Sequence, residues 1–157
     1  MCKNHEEFMR EAIGLSVKNI DENGGPFGAV IVKDGKIIAK GVNRVTSNND
    51  PTAHAEVNAI REAAAKLGTF DLQGCEIYSS CEPCPMCLGA IYWAHLDKLY
   101  YANTKQDAKD IDFDDSFIYE ELDLPIEKRK IPTIQILRGE ALEAFKKWQN
   151  KADKIEY

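Results

Sequence analysis

Apolar positions along the chain change period several times, and each change marks an element. Residues 6–21 place Phe8, Ala12, Ile13, Leu15 and Ile20 near helical spacing, which predicts an amphipathic helix ended by "NGGPFG" at 23–28. "FGAVIVKDGKIIAKGVN" follows, two strand-like runs about Asp34-Gly35, the dipeptide of a tight hairpin. "SNNDPT" reads as a loop. A helix over about 53–67 carries Val57, Ile60, Ala64 and Leu67 on one stripe. "CEIYSS" is a short strand. A helix from near Pro85 to about His95 turns Leu88, Ile91 and Tyr92 inward. "DKLYYAN" is a strand, "DDSFIYEEL" a short helix, "PTIQILR" a fifth strand and 140–152 a last helix. Strands alternating with helices predict a layered α/β fold. The hairpin makes the sheet mixed, because the strands at 76–80 and 98–103 can run parallel through a helical crossover.

The composition fits one globular domain over 1–157, with 44% hydrophobic and 29% charged residues. The absence of a long apolar run argues against a membrane partner. "MCKNHEEFMR" lacks the apolar stretch of a secretory signal, which points to the cytoplasm. Thiols stay reduced there, and five cysteines is an odd number, so close pairs suggest metal or catalysis rather than disulfides. A net charge of -6 argues against a nucleic-acid partner. The densest basic run, "EKRK" at 127–130, has acids close by and reads as a solvated turn.

Two short motifs carry chemistry. "PTAHAEV" gives His54 and Glu56; "EPCPMC" gives Cys84 and Cys87. One imidazole and two thiolates suit Zn²⁺, and three protein ligands leave the fourth tetrahedral position open, the mark of a catalytic zinc. Cys81 could be a fourth ligand, but Pro83 and Pro85 favour extended backbone at Glu82 and Cys84, carrying it away from the pair. Pro85 fits the first position of a helix, which puts Cys84 at its N-cap and Cys87 in its first turn, where the helix dipole favours thiolate. His54 and Glu56 fall at the start of another helix. Residues two apart lie about 200° apart around a helix, so the metal is expected off its end. A carboxylate two residues from a ligand is well placed to take and return a proton.

The pattern H-x-E…P-C-x-x-C is the signature of zinc nucleobase deaminases. The chain resembles the cytidine deaminase-like superfamily along nearly its whole length. It looks closest to the small bacterial guanine deaminases, on "GGPFGAVIVKDG", "SNNDPTAHAEV", "SCEPCPMCLGAIYWA", "FDDSFIY" and the terminal "EY". The resemblance implies a three-layer α/β/α sandwich around a five-stranded mixed sheet, and hydrolysis of guanine to xanthine and ammonia. It implies one zinc per subunit on His54, Cys84 and Cys87, with Glu56 as proton shuttle. It further implies that Phe27, Asn43, Ala55, Trp93, Asp115 and Tyr157 contact the base, Asp115 (ahead of Asp114) also counting as catalytic. The family commonly forms homodimers, and the segment of about 140–157 is expected to close a site, either its own or, by exchange between subunits, the partner's.

Two other readings stay open. The same chemistry could serve adenosine in transfer RNA, cytosine or another aminopurine or aminotriazine. Alternatively, a non-enzymatic module could use zinc only as a staple, with four protein ligands. Cys2, Cys75 and Cys81 read as packing thiols, His5 as a solvated terminal residue, and His95 as a helix-end partner.

Overall fold

The structure, a computed structural model, describes residues 4–157; Cys2 lies outside them. The chain falls into two compact units, one through Ser116 and one from Phe117 to Tyr157.

In the first unit, helix α1 (His5–Asp21) leads into strands β1 (Gly28–Lys33) and β2 (Lys36–Val42). Asp34 (φ 50°) and Gly35 (φ 75°) both take left-handed backbone, the conformation that the tightest hairpin turn demands. A four-residue helix α2 (Val45–Asn48) and helix α3 (Ala55–Leu67) follow, then strand β3 (Cys75–Cys81), helix α4 (Pro85–Trp93), strand β4 (Lys98–Asn103) and helix α5 (Lys105–Asp110). Among the described residues the sheet has four strands, in the order β2-β1-β3-β4. β1 runs antiparallel to both β2 and β3, while β3 and β4 are parallel, as the crossover through α4 requires.

Burial follows place in the sheet. Central β3 is buried along its whole length and central β1 over all but its last residue, whereas edge strand β4 is largely exposed. Alternate side chains feed two layers. Ala29, Ile31 and Ile77 pack with Ala55, Ala59 and Ala63 of α3 and Ile91 of α4. Val30, Val32 and Tyr78 face Phe8, Ala12 and Leu15 of α1. This unit is thus a three-layer α/β/α sandwich by itself.

The inward stripes differ in detail from the sequence expectation. On α3 the buried residues are Ala55, Glu56, Ala59 and Ala63, with Ile60, Ala64 and Leu67 flanking. Small residues are required there because α3 lies against β2 at Gly41, where a Cβ would stand 2.1 Å from the Ala55 carbonyl oxygen. On α4 the buried positions are Cys87 and Ile91, continued by Ala94; Tyr92, one residue round the helix from Ile91, is exposed. On α1, Ile13 and Ile20 are exposed, and Ser16 and Asn19 are buried with Ala12. His5 is no solvated end: its Nδ1 lies 2.6 Å from the Tyr78 hydroxyl and its ring stacks on Tyr100.

The second unit continues helix α6 (Ser116–Asp123), which starts at the last residue of the first unit, through a 3₁₀ turn (Ile126–Lys128) to helix α7 (Arg138–Gln149). The fifth strand expected at 132–138 is not formed. Residues 132–137 have no regular structure and Leu137 adopts φ 54°. A strand needs a neighbour to accept its backbone hydrogen bonds, and among the described residues none pairs with this segment. The run 127–130 does lie at a turn, exposed except at half-buried Arg129, which donates to the Glu121 carbonyl. Among the described residues no helix is long and apolar enough to cross a membrane.

Candidate metal centre and nucleobase site

Two helix N-termini build the centre. His54 is the N-cap of α3 and Cys84 the N-cap of α4, with Pro85 as the first helical residue. Neither side chain caps its helix. Cys84 Sγ instead lies 3.6 Å from His54 Nδ1, and Cys87 Sγ lies 3.5 Å from the same nitrogen. All three donor atoms fall within 4.8 Å of one another. With ordinary zinc bond lengths, a tetrahedral ion separates a sulfur ligand from a nitrogen ligand by about 3.6 Å. The donor set therefore fits zinc in kind and in spacing.

Protonation follows the same contacts. Cys84 is drawn down to about 4, first by the hydrogen bond from Cys87 and also by the one with His54, against the opposing effect of burial. Cys87 is pushed up, first by its bond to the Cys84 sulfur, then by burial and the Glu56 carboxylate. His54 is raised by its hydrogen bond to Cys84. A cation bound at these three atoms competes with protons for them.

Glu56 lies in the first turn of α3 and is 5% exposed. Ser79 Oγ, at the buried end of β3, is 2.6 Å from Glu56 Oε1. Cys81 Sγ turns away and donates to the Thr104 carbonyl at 3.7 Å, and burial pushes its thiol up to about 11.

The other expected residues fall in several places. Asn43 is buried at the end of β2. Its Oδ1 accepts from Val45 N–H, and a Cβ on Gly25 would reach within 3.0 Å of its side chain. Phe27 is half-buried and meets Phe113 edge-on at 5.0 Å. Ala55 is buried at the first position of α3, where backbone N–H groups have no partner within the helix. Asp114 accepts from the Ser116 N–H and hydroxyl, which hold its carboxyl below the usual range. Asp115 is raised, first by burial and then by the charge on Cys84. Of the two acids, then, Asp115 is the one that feels the charge on Cys84. Trp93 stands in the last turn of α4, about 13 Å along the axis from Cys84, and is 65% exposed. Tyr157 belongs to the second unit and is exposed. His95 takes φ 58° and its Nδ1 lies 3.3 Å from Asp71.

Sequence reasoning missed three interior polar residues, Ser79 and Asn19 buried and Asn58 half-buried. Ser79 touches Glu56. Asn19 donates to the carbonyls of Gly25 and Asn43, tying α1 to the loop before β1 and to the end of β2. Asn58 donates to the Val42 and Ala53 carbonyls, fixing α3 beside the same strand. An isolated Ser or Asn has no periodicity to betray it. Phe113 was also missed, although it sits inside the "FDDSFIY" segment.

Known proteins resemble this chain in sequence and in fold. The chain is 56% identical over 155 residues to guanine deaminase of Bacillus subtilis, covering 98% of this chain and 99% of that one. An X-ray structure of guanine deaminase from the same species superposes with a TM-score of 0.96 at 55% identity, covering 98% of this chain and 99% of that one. A solved structure of guanine deaminase from Nitrosomonas europaea gives 0.66 at 38% identity, over 69% of this chain and 63% of that one. A tRNA-specific adenosine deaminase of Aquifex aeolicus is 41% identical over 97 residues, 62% of this chain and 64% of that one. Residues 2–103, which hold all three metal-ligand candidates and Glu56, match the cytidine and deoxycytidylate deaminase zinc-binding region, and to that family this chain belongs.

Proposed function

We infer that this chain hydrolyses guanine to xanthine and ammonia, with one zinc ion held by His54, Cys84 and Cys87. The observation that carries the reading is the extent of similarity to the Bacillus subtilis guanine deaminase. It runs over 98% of the chain, past residue 103 and through "FDDSFIY" to the tail, whereas similarity to the Aquifex aeolicus tRNA-specific enzyme spans 62%.

Zinc bound there supplies the Lewis acidity that makes water a competent nucleophile near neutral pH. Glu56 takes the proton that the attacking water gives up. It passes that proton to the ring nitrogen beside the carbon under attack, then carries the remaining proton of the added hydroxyl to the amine, whose bond to carbon breaks as ammonia leaves. The water oxygen remains as the new carbonyl of xanthine. Burial of Glu56 keeps bulk water from competing for the proton. The ring lies against Phe27, with Phe113 behind it, and Trp93 and Tyr157 complete its apolar walls. Asn43 reads the polar edge through its amide, and Ala55 offers main-chain polarity at the start of α3. Asp115 accepts from the ring N–H and exocyclic amine. Its raised proton affinity suits a group that also assists proton transfer.

The whole chain works as one deaminase domain in a homodimer, with the segment from about 140 to Tyr157 closing the partner's site. Support comes from residues 117–157, none of which is buried, although Ile131, Ile134, Ile136, Phe145 and Trp148 lie among them. A reducing cytoplasm keeps Cys84 and Cys87 available as metal ligands.

The test is ammonia release by zinc-loaded protein across guanine, adenine, cytosine, cytidine, other aminopurines and a transfer RNA. Guanine is expected to turn over fastest; no release from guanine contradicts the reading. Glu56→Gln is expected to keep its zinc and lose about 100- to 10,000-fold in kcat. Loss of the metal in that variant would contradict the role given to Glu56.

A further inference from the structure

A proton shuttle must hold its carboxyl in one place, and α3 alone does not hold Glu56. The residue sits in the first turn, with a side chain free to rotate about three bonds unless something grips its end. Ser79 supplies the grip. It is fully buried in a central strand, opposite Ala29 of β1 on one side and Tyr101 of β4 on the other. Its backbone is therefore fixed by neighbours on both edges. Its Oγ lies 2.6 Å from Glu56 Oε1 and 2.7 Å from the Cys81 carbonyl oxygen. One hydroxyl proton faces two acceptors, and rotation about the Cβ–Oγ bond serves either without moving the oxygen. Ser79 also sits at the end of the strand that leads through Cys81 to Cys84, so it references the carboxyl to the same backbone that carries the metal-ligand cysteines.

We propose that Ser79 is a positioning residue for the deamination: its hydroxyl fixes one oxygen of Glu56 and so aims the other at the reacting atoms beside His54, Cys84 and Cys87. The inference rests on the shuttle role proposed for Glu56. It does not depend on guanine being the substrate.

Ser79→Ala is expected to lower kcat about 10- to 100-fold, the rate equivalent of one hydrogen bond to a charged group. KM should move less than about threefold and zinc should stay at one per chain. Ser79→Thr, which keeps the hydroxyl, should recover most of the rate. In a Glu56→Gln background, Ser79→Ala should cost almost nothing further, because the group it positions has already lost its function. A purely structural serine would instead lower the residual rate by the same factor in both backgrounds. That outcome, or wild-type kcat in Ser79→Ala, overturns the proposal. If Ser79→Ala does not fold, Ser79→Cys replaces it, with a smaller loss expected because a thiol is the weaker donor. A crystal structure of the zinc-loaded variant decides the matter without turnover. The Glu56 carboxyl should leave its wild-type position or spread over rotamers, and an unmoved, fully ordered carboxyl refutes the proposal. Should wild-type protein turn over another aminopurine but not guanine, the guanine reading fails, and the same kinetic comparison is made on that substrate.

Discussion

The chain through Ser116 and the chain from Phe117 treat apolar residues in opposite ways. In the first unit, Val30, Ile31, Leu72, Ile77 and Tyr78 are completely buried, and buried Glu56 has a hydrogen-bond partner in Ser79. In the second, no described residue is buried, and Ile134 remains 79% exposed. A segment so short rarely builds a core of its own. Apolar side chains left open in such number mark a surface that another surface covers. The candidate metal cluster thus belongs wholly to the first unit, and on the proposed dimer the second unit would gain its stability from association. This is the physical basis for the proposed dimer.

Breaking the metal cluster should have the largest effect. Cys84→Ser is expected to lose zinc and to lower turnover more than about 1,000-fold, as measured by metal analysis beside an ammonia assay. The fold should survive, because the cluster sits at helix ends and the core lies elsewhere. Acidification should also strip the metal, since protons compete for His54 and the sulfurs. His54 is raised by Cys84, so this imidazole already takes up a proton above its ordinary range, and zinc affinity should fall as pH drops through that point.

A second comparison sets a core residue against an exposed one. Ile31→Ala should cost about 2–5 kcal/mol in unfolding free energy, at any protein concentration. Ile134→Ala should act through association, so its effect on the melting temperature should shrink as protein concentration rises. A concentration-independent loss at Ile134 would mean that the second unit is stabilised within its own chain.

The smallest expected effect concerns the tail. Tyr157→Ala should reduce activity about 10-fold, the scale of a single apolar contact with a ligand. Mixing that variant with Glu56→Gln should restore part of the rate if a tail closes its partner's site, because one hybrid site then combines an intact Glu56 with an intact Tyr157. No gain on mixing, under conditions where subunits exchange, would assign each tail to its own chain.

What could be seen in the sequence follows from how local each signal is. The hairpin was legible because Asp34 and Gly35 take backbone angles that few residues tolerate. His54, Cys84 and Cys87 were legible as one cluster because a bound zinc needs those donor types at those spacings. The fifth strand was not, because β-propensity in "PTIQILR" says nothing about whether a neighbouring strand is present. Ser79 was invisible because its partner lies 23 residues away, and His5 because its partner lies 73 away. The exposure of Tyr92 and the burial of Ala59 depend on how closely α3 and α4 approach the sheet, which Gly41 permits but no periodicity reports.

The central claim is a single zinc held by one imidazole and two thiolates with its fourth position left to solvent. Zinc X-ray absorption on purified protein measures this directly. The account predicts two sulfur neighbours at about 2.3 Å, one nitrogen at about 2.0 Å and a fourth light atom that exchanges with solvent. A fourth neighbour supplied by the protein, or a preparation that binds no zinc at all, would contradict it.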